Sequence, residues 1–355
     1  MKKLEISTIV LVLAMGLVAL AACAPAPTPI PTNVPSTAVP PTTAPTSAPA
    51  PTPVPTNVPP TAVPPTTVPT SAPTAASSAS ITVTDGAKRT VTITGAPQRI
   101  LSLAPSTTEI AFALGLGKRV IAVDSLSDFP ADTKDLPKIK TYPLNFEQVA
   151  NFKPDLVLAA GVQSPDEIKK LSDLKLTVLV VGSANATFDN VMDDIVLVGK
   201  ATGTDAQAKS VVDGMKQKLD AVKAKVATAK TKPRVYWELD ATDPAKPYTP
   251  GPGSFIDDMI TLAGGANIAA SAKSAYTQIN AEEVIAANPE IIILSDAAYG
   301  ISVESVKARK GWSVIAAIKG DKTFPIDDNL VSRPGPRIVD GLEAAAKLIH
   351  PEVFK

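Results

Sequence analysis

The sequence predicts an α/β protein of two lobes that one long helix joins. Three observations support this fold class. From residue 98 onward, short apolar runs alternate with segments of helical periodicity. One long amphipathic segment interrupts that alternation near residue 205, and a motif of the first half recurs in the second half. Alternating strands and helices are typical of a parallel sheet that helices cover on both faces.

The N-terminal lobe is predicted to span residues 81–204. The segment ITVTDGAKRTVTIT alternates β-branched residues around Asp85 and Gly86, which predicts a hairpin. The apolar runs that follow predict buried strands at 100–104, 119–123, 155–160 and 177–181. Helices are predicted to start near Ser106, Asn145, Pro165 and Asp189.

A connecting helix is predicted at residues 205–232. From Asp205 to Lys230, apolar residues recur at helical spacing on one side and lysines occupy the other. At about 1.5 Å per residue, about 26 residues span about 39 Å, which is longer than a small domain is wide. The segment can therefore bridge two lobes.

The C-terminal lobe is predicted at residues 233–355, where the alternation of strands and helices resumes. Strands are predicted at 234–239 and 290–295, and helices from Ser254, Asn280 and Ser302 and over about 336–349.

The two halves share a motif. NFEQVANFKPDLVLA begins at residue 145 and aligns with NAEEVIAANPEIIIL, which begins at residue 280. Each copy has an Asn that can cap a helix, a Glu in the first turn and a Pro before the next strand. The common spacing of these residues favours duplicated halves or a shared docking geometry. A generic unit of helix, loop and strand would account for part of the match.

The first 23 residues have the layout of a bacterial lipoprotein signal peptide. Lys2 and Lys3 precede an uncharged apolar core, which ends in Leu20-Ala21-Ala22-Cys23. The core is shorter than the about 20 residues that a membrane span requires. We therefore expect processing and lipidation at Cys23, the alternative being a free or buried thiol after a plain signal peptide. Cys23 is the only cysteine, so no intramolecular disulfide can form.

Residues 24–80 are predicted to form a disordered Pro/Thr-rich tether. The segment 31–49 recurs as 55–73 with two differences, and it lacks the large apolar residues that stacked repeats require. Proline at this density favours extended polyproline II, which would reach about 170 Å at about 3.1 Å per residue. A spacer of no selected length is an equal alternative, and the threonines would also suit O-glycosylation.

Composition excludes several classes of function. The chain carries 34 basic and 34 acidic residues, so its charge favours neither nucleic acid nor an acidic surface as partner. His350 is the only histidine, and the segment around Ser254 is not a nucleophile elbow. No dinucleotide-binding or P-loop motif occurs. A bare zinc site is disfavoured because such sites use several His or Cys ligands. The ligand is expected to be organic or a chelate.

The segment RILSLAPSTTEIAFALGLGKRVIAVDSLSDFP resembles the extracytoplasmic substrate-binding proteins of ABC importers for cobalamin, ferric siderophores and haem. The resemblance continues through FEQVANFKPDLVLAAG, INAEEVIAANPEIIIL and SRPGPRIVDGLEAAAKLI, and covers residues 98–355. It implies two Rossmann-like lobes, a rigid connecting helix and a ligand in the cleft between the lobes. The implied ligand is a corrinoid, a ferric siderophore or haem, with no resident cofactor or metal.

The resemblance also implies residues of the ligand cleft. Tyr142, Tyr248 and Tyr276 lie in predicted loops and align with cleft aromatics of the cobalamin-binding relatives. An aromatic face offers a large contact area to a flat macrocycle or a catecholate. Leu126 and Ala160 stand where those relatives carry further aromatics, which is a departure from the cobalamin-binding pattern.

Polar cleft residues are implied at two helix starts. Pro105 and Ser106 begin a helix that Ser106 is predicted to cap, and the same N-terminus is expected to face the ligand. Arg333 matches a cleft arginine of the family, and Asn329 stands where some relatives carry Asp. Arg337 lies in the first turn of the last helix, where a cation is unfavourable, so it is predicted to have an acidic partner and a structural role.

Glu147 and Glu282, in the two copies of the shared motif, align with glutamates that meet the transporter in relatives. We predict that these two glutamates contact a permease dimer, which works with its ATPase. The alternative is that each carboxylate only compensates the dipole of its helix. We expect a monomeric, lipid-anchored solute-binding protein outside the cell membrane that is not an enzyme. A metallocluster enzyme on the same lobes, and a structural or adhesive surface lipoprotein on a Pro/Thr stalk, are the alternatives.

Overall fold

The computed structural model describes residues 79–183 and 187–355. The predictions for the signal peptide 1–23 and for Cys23 lie outside the described residues, as does nearly all of the tether predicted at 24–80. Ser80 already belongs to a strand and pairs with Thr94, so the folded body starts one residue earlier than predicted.

The N-terminal lobe is built on a five-stranded parallel sheet with the order β5-β4-β3-β6-β7, next to an antiparallel hairpin of β1 and β2. The strands are β1 (Ser80–Thr84), β2 (Thr90–Thr94), β3 (Ile100–Ser102), β4 (Val120–Asp124), β5 (Lys138–Ile139), β6 (Leu156–Ala160) and β7 (Val178–Val181). The helices are α1 (Pro105–Ala113), α2 (Phe146–Asn151), α3 (Pro165–Asp173) and α4 (Phe188–Thr202).

The predicted hairpin turn is confirmed, and its first residue ties it to the sheet. The buried Asp85 carboxylate accepts hydrogen bonds from the backbone N–H groups of Arg89 (2.9 Å) and Val180 (3.2 Å) and pairs with the Arg89 guanidinium. A Cβ on Gly86 would lie 2.2 Å from the Gly182 carbonyl oxygen. Only glycine fits where the turn meets the end of β7.

The C-terminal lobe repeats this design with a four-stranded parallel sheet of order β10-β8-β12-β13 and a separate antiparallel pair, β9 and β11. The strands are β8 (Arg234–Glu238), β9 (Tyr248–Pro250), β10 (Ala266–Asn267), β11 (Tyr276–Gln278), β12 (Ile291–Leu294) and β13 (Thr323–Pro325). The helices are α6 (Phe255–Leu262), α7 (Ala281–Ala287), α8 (Val303–Lys307), α9 (Ala316–Lys319), α10 (Asp328–Val331) and α11 (Ile338–Ile349).

The two sheets share one topology, as the repeated motif predicts. The order β4-β3-β6-β7 of the first lobe corresponds to β10-β8-β12-β13 of the second. The two motif copies form α2 with β6, and α7 with β12. Asn145 caps α2 by accepting from the Gln148 N–H (3.0 Å), and Asn280 caps α7 by accepting from the Glu283 N–H (2.8 Å). Duplicated helix caps therefore begin equivalent helices in both lobes.

The connecting helix α5 spans Asp205–Val226 and ends before the predicted residue 232. The loop that follows carries no further apolar residue at helical spacing until Pro233 starts the next lobe. The predicted apolar stripe of α5 is buried between α4 of the first lobe and α11 of the second. The buried residues of the stripe are Ala208, Val212, Met215, Leu219 and Val222. Lys218 pairs with Asp340 of α11, which adds an ionic contact to this packing.

Buried apolar side chains cover both faces of each sheet. One core cluster runs through both lobes and includes residues of β3, β8, α4, α5, α6 and α11. Two smaller clusters lie on the opposite faces, one against the first sheet and one around Trp312 in the second lobe. The connecting helix therefore belongs to a core that is shared by the lobes.

Among the described residues, no helix is long and apolar enough to cross a membrane.

Candidate ligand-binding cleft

A cavity of about 930 Å³ lies between the lobes, where segments at the carboxyl ends of both parallel sheets meet. In sheets of this kind, ligands bind outside the carboxyl ends of the strands. The first lobe contributes Ala104, Pro105, Ser106, Ser125, Leu126, Asp128, Ala160, Gly161, Val162, Val181, Gly182, Ser183 and Asp194. The second lobe contributes Leu239, Phe255, Ile256, Tyr276, Ala298, Tyr299, Asp328, Asn329, Ser332, Arg333 and Pro334.

Large apolar side chains in this cavity are left open to solvent. Leu126 is 67% exposed, Val162 is 82% exposed, Tyr299 is 74% exposed and Tyr276 is 42% exposed. Exposed apolar residues that gather in one concave site mark a place for a ligand. The cleft therefore presents an apolar surface from both lobes.

The cavity brings together five of the seven predicted ligand-binding residues: Pro105, Ser106, Tyr276, Asn329 and Arg333. Leu126 and Ala160, where relatives carry aromatics, also line it. The positions that the resemblance singled out therefore lie mostly around one cavity.

Two predicted tyrosines lie away from the cavity wall. Tyr142 is 90% exposed in a turn that an isolated bridge between Thr141 and Leu144 closes. Tyr248 is the first residue of β9, and its backbone pairs with that of Gln278 in β11. The prediction that the tyrosines lie in loops is correct for Tyr142. It is wrong for Tyr248 and Tyr276, because β9 and β11 pair with each other although residues 251–275 separate them along the chain.

The predicted cap of α1 is also wrong. The helix begins at Pro105, so Ala104 is the capping residue and Ser106 lies inside the first turn, where it lines the cavity. The hydroxyls of Thr107 and Thr108 donate to the Ala104 carbonyl oxygen, each at 3.0 Å. Proline has no N–H to satisfy and favours this first helical position.

Arg333, the one arginine among the described residues that line the cavity, is already neutralised by carboxylates. The Arg333 guanidinium lies 2.5 Å from Asp128 and 3.5 Å from Glu109, and it donates to the Leu126 carbonyl oxygen at 3.3 Å. Its side chain is 12% exposed. The hydrogen bond from Arg333 lowers the pKa of Asp128, so this carboxylate stays ionised at neutral pH.

Arg337 has the acidic partner that its position predicts. Its guanidinium donates to both carboxylate oxygens of Glu109, at 2.6 and 2.9 Å, and stacks on the Phe129 ring with 3.9 Å to the centroid. We call Glu109, Asp128, Arg333 and Arg337 the interlobe ion cluster, since its acids belong to the first lobe and its arginines to the second. The cluster carries no net charge and ties the lobes together beside the cavity.

Two further carboxylates face the cavity. The Asp194 side chain accepts the Gly182 N–H at 3.0 Å, and burial raises its pKa to about 6. Asp328 accepts a hydrogen bond from the Tyr299 hydroxyl at 3.0 Å, and its charge raises the pKa of that tyrosine. Apart from Arg333, no cationic side chain lines the cavity within residues 79–183 and 187–355.

Sequence reasoning did not identify Asp128, Asp194 or Tyr299 as residues of the cleft. Asp128 and Tyr299 each lie shortly after the carboxyl end of a parallel strand. Because ligands bind at that edge of such sheets, this position in the sequence could have identified both residues. Asp194 lies in the middle of α4 and carries no local signal, because only the packing of α4 against the end of β7 brings it to the cavity.

In the described part of the chain, no three His, Cys, Asp or Glu side chains gather as metal ligands do. His350 is buried at the end of α11, where its ring nitrogens lie 3.2 Å from the Gly264 carbonyl oxygen and 3.0 Å from Glu352. This histidine caps the last helix and has no place in the cleft.

Glu147 and Glu282 are both exposed in the first turns of α2 and α7. Within residues 79–183 and 187–355, neither carboxylate has a hydrogen bond or an ion pair. Each helix precedes a parallel strand and runs back toward the amino edge of its sheet, so its first turn lies at the carboxyl edge, where the cleft opens. The two glutamates therefore lie one on each lobe, on the side of the cleft.

The fold and the cleft are those of a protein that holds a solute between two lobes, and the sequence profile of the family described as periplasmic binding protein matches residues 100–330. The chain belongs to this family. It is a substrate-binding protein of an ABC importer. Such a protein works outside the cell membrane and delivers a small molecule to the permease of the importer and its ATPase. It is not an enzyme, and the alternative of a structural or adhesive surface lipoprotein is not favoured.

Named relatives agree with this assignment. An uncharacterized ABC transporter substrate-binding lipoprotein of Bacillus subtilis is 34% identical over 278 residues, which cover 78% of this chain and 87% of the relative. A vitamin B12-binding protein of Vibrio cholerae is 29% identical over 251 residues, which cover 69% of this chain and 87% of the relative.

Solved structures show the same fold. A possible iron-binding, periplasmic solute-binding protein of Staphylococcus epidermidis is 32% identical, with a TM-score of 0.64 over 72% of this chain and 99% of the other. The periplasmic vitamin B12-binding protein of Vibrio cholerae is 26% identical, with a TM-score of 0.62 over 72% of this chain and 97% of the other.

Proposed function

We propose that the protein captures a corrinoid in the cleft and delivers it to the importer. The observation that carries this proposal is the cavity itself, which offers about 930 Å³ and exposed apolar side chains from both lobes. Its described lining residues include no unpaired cation. Relatives named vitamin B12-binding protein and cobalamin-binding protein, at 29% and 26% identity, support the same ligand class.

The residues of the cavity suit a macrocycle with polar side groups. Tyr276 and Tyr299 supply flat apolar area at low entropic cost. Ser106 and Asn329 supply a hydroxyl and an amide that can exchange hydrogen bonds with peripheral amides of the ligand. Tyr142, at the exposed edge of the first lobe, would contact the ligand only by moving toward the cavity.

A ferric siderophore or haem is the second candidate, since a solved relative at 32% identity is named as possibly iron-binding. Titration of the full chain in detergent with cobinamide, haem and ferric siderophores separates these ligands. We expect cobinamide to bind with the highest affinity and to raise the melting temperature, because a ligand of the folded state stabilises by mass action. Tighter binding of haem or of a ferric chelate would contradict the corrinoid assignment.

Tyr276→Ala tests the place of binding. The substitution removes one of the two cavity tyrosines and is expected to weaken cobinamide binding by at least about tenfold, which is about 1.4 kcal/mol. Tyr248→Ala is the matched control, because Tyr248 lies in the paired strand and does not line the cavity. Equal losses in the two variants would place the ligand elsewhere.

We also propose that the protein acts as a monomer held at the membrane by lipid on Cys23. The small residues before Cys23 and the uncharged core of the leader support lipidation, and the Bacillus subtilis relative is named a lipoprotein. A lipid anchor with two or more acyl chains is stable, whereas one chain binds only marginally.

Docking on the permease is proposed to use Glu147 and Glu282. Both carboxylates are exposed, unpaired within the described residues and placed one on each lobe. Such a pair can meet cationic side chains on two permease subunits while the cleft opening faces the transporter. Rim charges of this kind set the rate and orientation of docking more than the affinity for the solute.

A further inference from the structure

We propose that the cleft selects for neutral or cationic ligands and against anionic ones, and that Asp128 sets this selectivity by occupying Arg333. The inference rests on the proposed function, because it assumes that the solute lies in the cavity between the lobes. It goes further by naming the charge class of the solute and one residue that determines it.

The first step is the state of Arg333. An arginine in a cleft ordinarily offers a fork of donors to a carboxylate or a phosphate. Here Asp128 lies 2.5 Å from the guanidinium, Glu109 lies 3.5 Å away, and the Leu126 carbonyl oxygen accepts a further N–H at 3.3 Å. An anionic ligand would therefore have to displace Asp128 before it could use this arginine.

The second step is the charge of the remaining wall. Asp194 and Asp328 face the same cavity, and no lysine is among its lining residues. With Arg333 neutralised by Asp128, the Asp194 and Asp328 carboxylates leave the cavity net negative at pH 7.5. At an effective dielectric constant of about 20, one like charge about 8 Å away weakens binding about 30-fold.

The third step singles out Asp128 among the three aspartates. The Asp328 carboxylate is held by the Tyr299 and Ser332 hydroxyls, and the Asp194 carboxylate by the Gly182 N–H. Asp128 is 60% exposed, and in the described part of the chain its one side-chain partner is Arg333. Glu109 cannot replace it fully, because both Glu109 oxygens already bind Arg337. Removal of Asp128 therefore frees a cation inside the cavity.

These steps define the ligand by its chemistry. A corrin whose peripheral side chains are amides meets hydroxyl, amide and apolar groups and no repulsive charge. A corrin with free carboxylates, or a ferric triscatecholate with its net negative charge, meets two carboxylates and an arginine that is already paired.

The test compares two corrins that differ in charge. The full chain in detergent is titrated at pH 7.5 by calorimetry with cobinamide, which carries peripheral amides, and with cobyrinic acid, which carries carboxylates in their place. We expect cobinamide to bind at least about 100-fold more tightly, since several ligand carboxylates each meet a like charge. In Asp128→Asn we expect this ratio to fall at least about tenfold, because the freed guanidinium attracts the carboxylates of cobyrinic acid and not the amides of cobinamide.

Two further variants make the result specific. Asp128→Glu keeps the negative charge and is expected to keep the ratio of the wild type. Asp132→Asn removes an exposed carboxylate four residues away, outside the cavity, and is expected to change nothing. Thermal unfolding of each variant shows that it is folded.

Equal affinity of the wild type for the two corrins, or an unchanged ratio in Asp128→Asn, would overturn the inference. If neither corrin binds, the corrinoid assignment fails. The same variants are then titrated with a neutral ferric trihydroxamate and with an anionic ferric triscatecholate. A preference for the trihydroxamate that Asp128→Asn reduces would then support the charge selectivity alone. Preference for the triscatecholate, or no binding of any of the four, would refute it.

Discussion

At the scale of single residues, the cleft contains one carboxylate that titrates close to neutral pH. Burial, together with the charge of Asp193, raises the pKa of Asp194 from 3.8 to about 6, while the Gly182 N–H and Lys88 oppose the shift. A raised pKa means that the folded state binds the proton more tightly than the unfolded state does. Ionised Asp194 therefore costs stability above pH 6, and this cost disappears as the pH falls toward 4.

Asp194→Asn should raise stability at pH 7.5 by about 1 to 3 kcal/mol, because it removes the buried charge and keeps an acceptor for the Gly182 N–H. The gain should shrink as the pH falls from 6 toward 4, because the carboxyl then becomes protonated in the folded state. Thermal melts of the wild type and the variant from pH 4 to pH 8 measure the difference. Parallel curves over the whole range would show that Asp194 does not titrate as described.

The interlobe ion cluster gives a second prediction for a single residue. Glu109 is 3% exposed and is shared by Arg333 and Arg337. Glu109→Gln leaves two guanidinium groups with one carboxylate, Asp128, and should lower the free energy of unfolding by about 2 to 4 kcal/mol, because a partly buried charge loses its partner. Chemical denaturation measures the loss. Glu304→Gln, on the exposed first turn of α8, is the control and should change stability by less than about 0.5 kcal/mol.

At the scale of secondary structure elements, the equivalent helices α2 and α7 present one exposed glutamate each. The Glu147→Lys, Glu282→Lys double variant should abolish uptake of the solute by cells that carry the importer, because both docking charges are reversed. Its affinity for the solute in solution should stay within about threefold, since neither residue lines the cavity. Uptake assays and calorimetry together measure the two effects.

The control for this prediction reverses the same number of charges elsewhere. Asp213→Lys together with Asp220→Lys changes the exposed face of α5, and uptake by this variant should equal that of the wild type. Weaker solute binding by the Glu147 and Glu282 variant would instead assign these glutamates to the cleft. Normal uptake by that variant would exclude them from docking.

The helix caps show which features of these elements are local. Asn145 and Asn280 were predicted to cap α2 and α7, and both side chains accept the expected backbone N–H group. Such a cap depends on residues three positions apart, which the sequence displays directly. The short strands β9 and β11 were not predicted, because each has three residues and is defined only by pairing with the other.

At the scale of the whole molecule, the lipid anchor proposed at Cys23 is expected to set where the folded body works. Cys23→Ala should prevent lipidation and move the protein from the membrane fraction to the soluble fraction, because no acyl chain can then be attached. Fractionation of cells with the wild type and the variant measures this shift. Ala22→Ser, beside the cysteine, is the control and should keep the protein in the membrane fraction. A Cys23→Ala protein that stays on the membrane after leader cleavage would refute anchoring at this residue.

The sequence by itself determined the alternation of strands and helices, the long connecting helix and the duplicated motif. These features depend on periodicity, caps and prolines, which act within a few residues of each other. The tertiary structure alone decided the charge of the cleft. Arg333 was expected to line the cleft, and it does, but Asp128, 205 residues earlier in the chain, neutralises its charge. Such a pair forms only when two lobes meet, because Coulomb attraction depends on distance in space and not on separation along the chain.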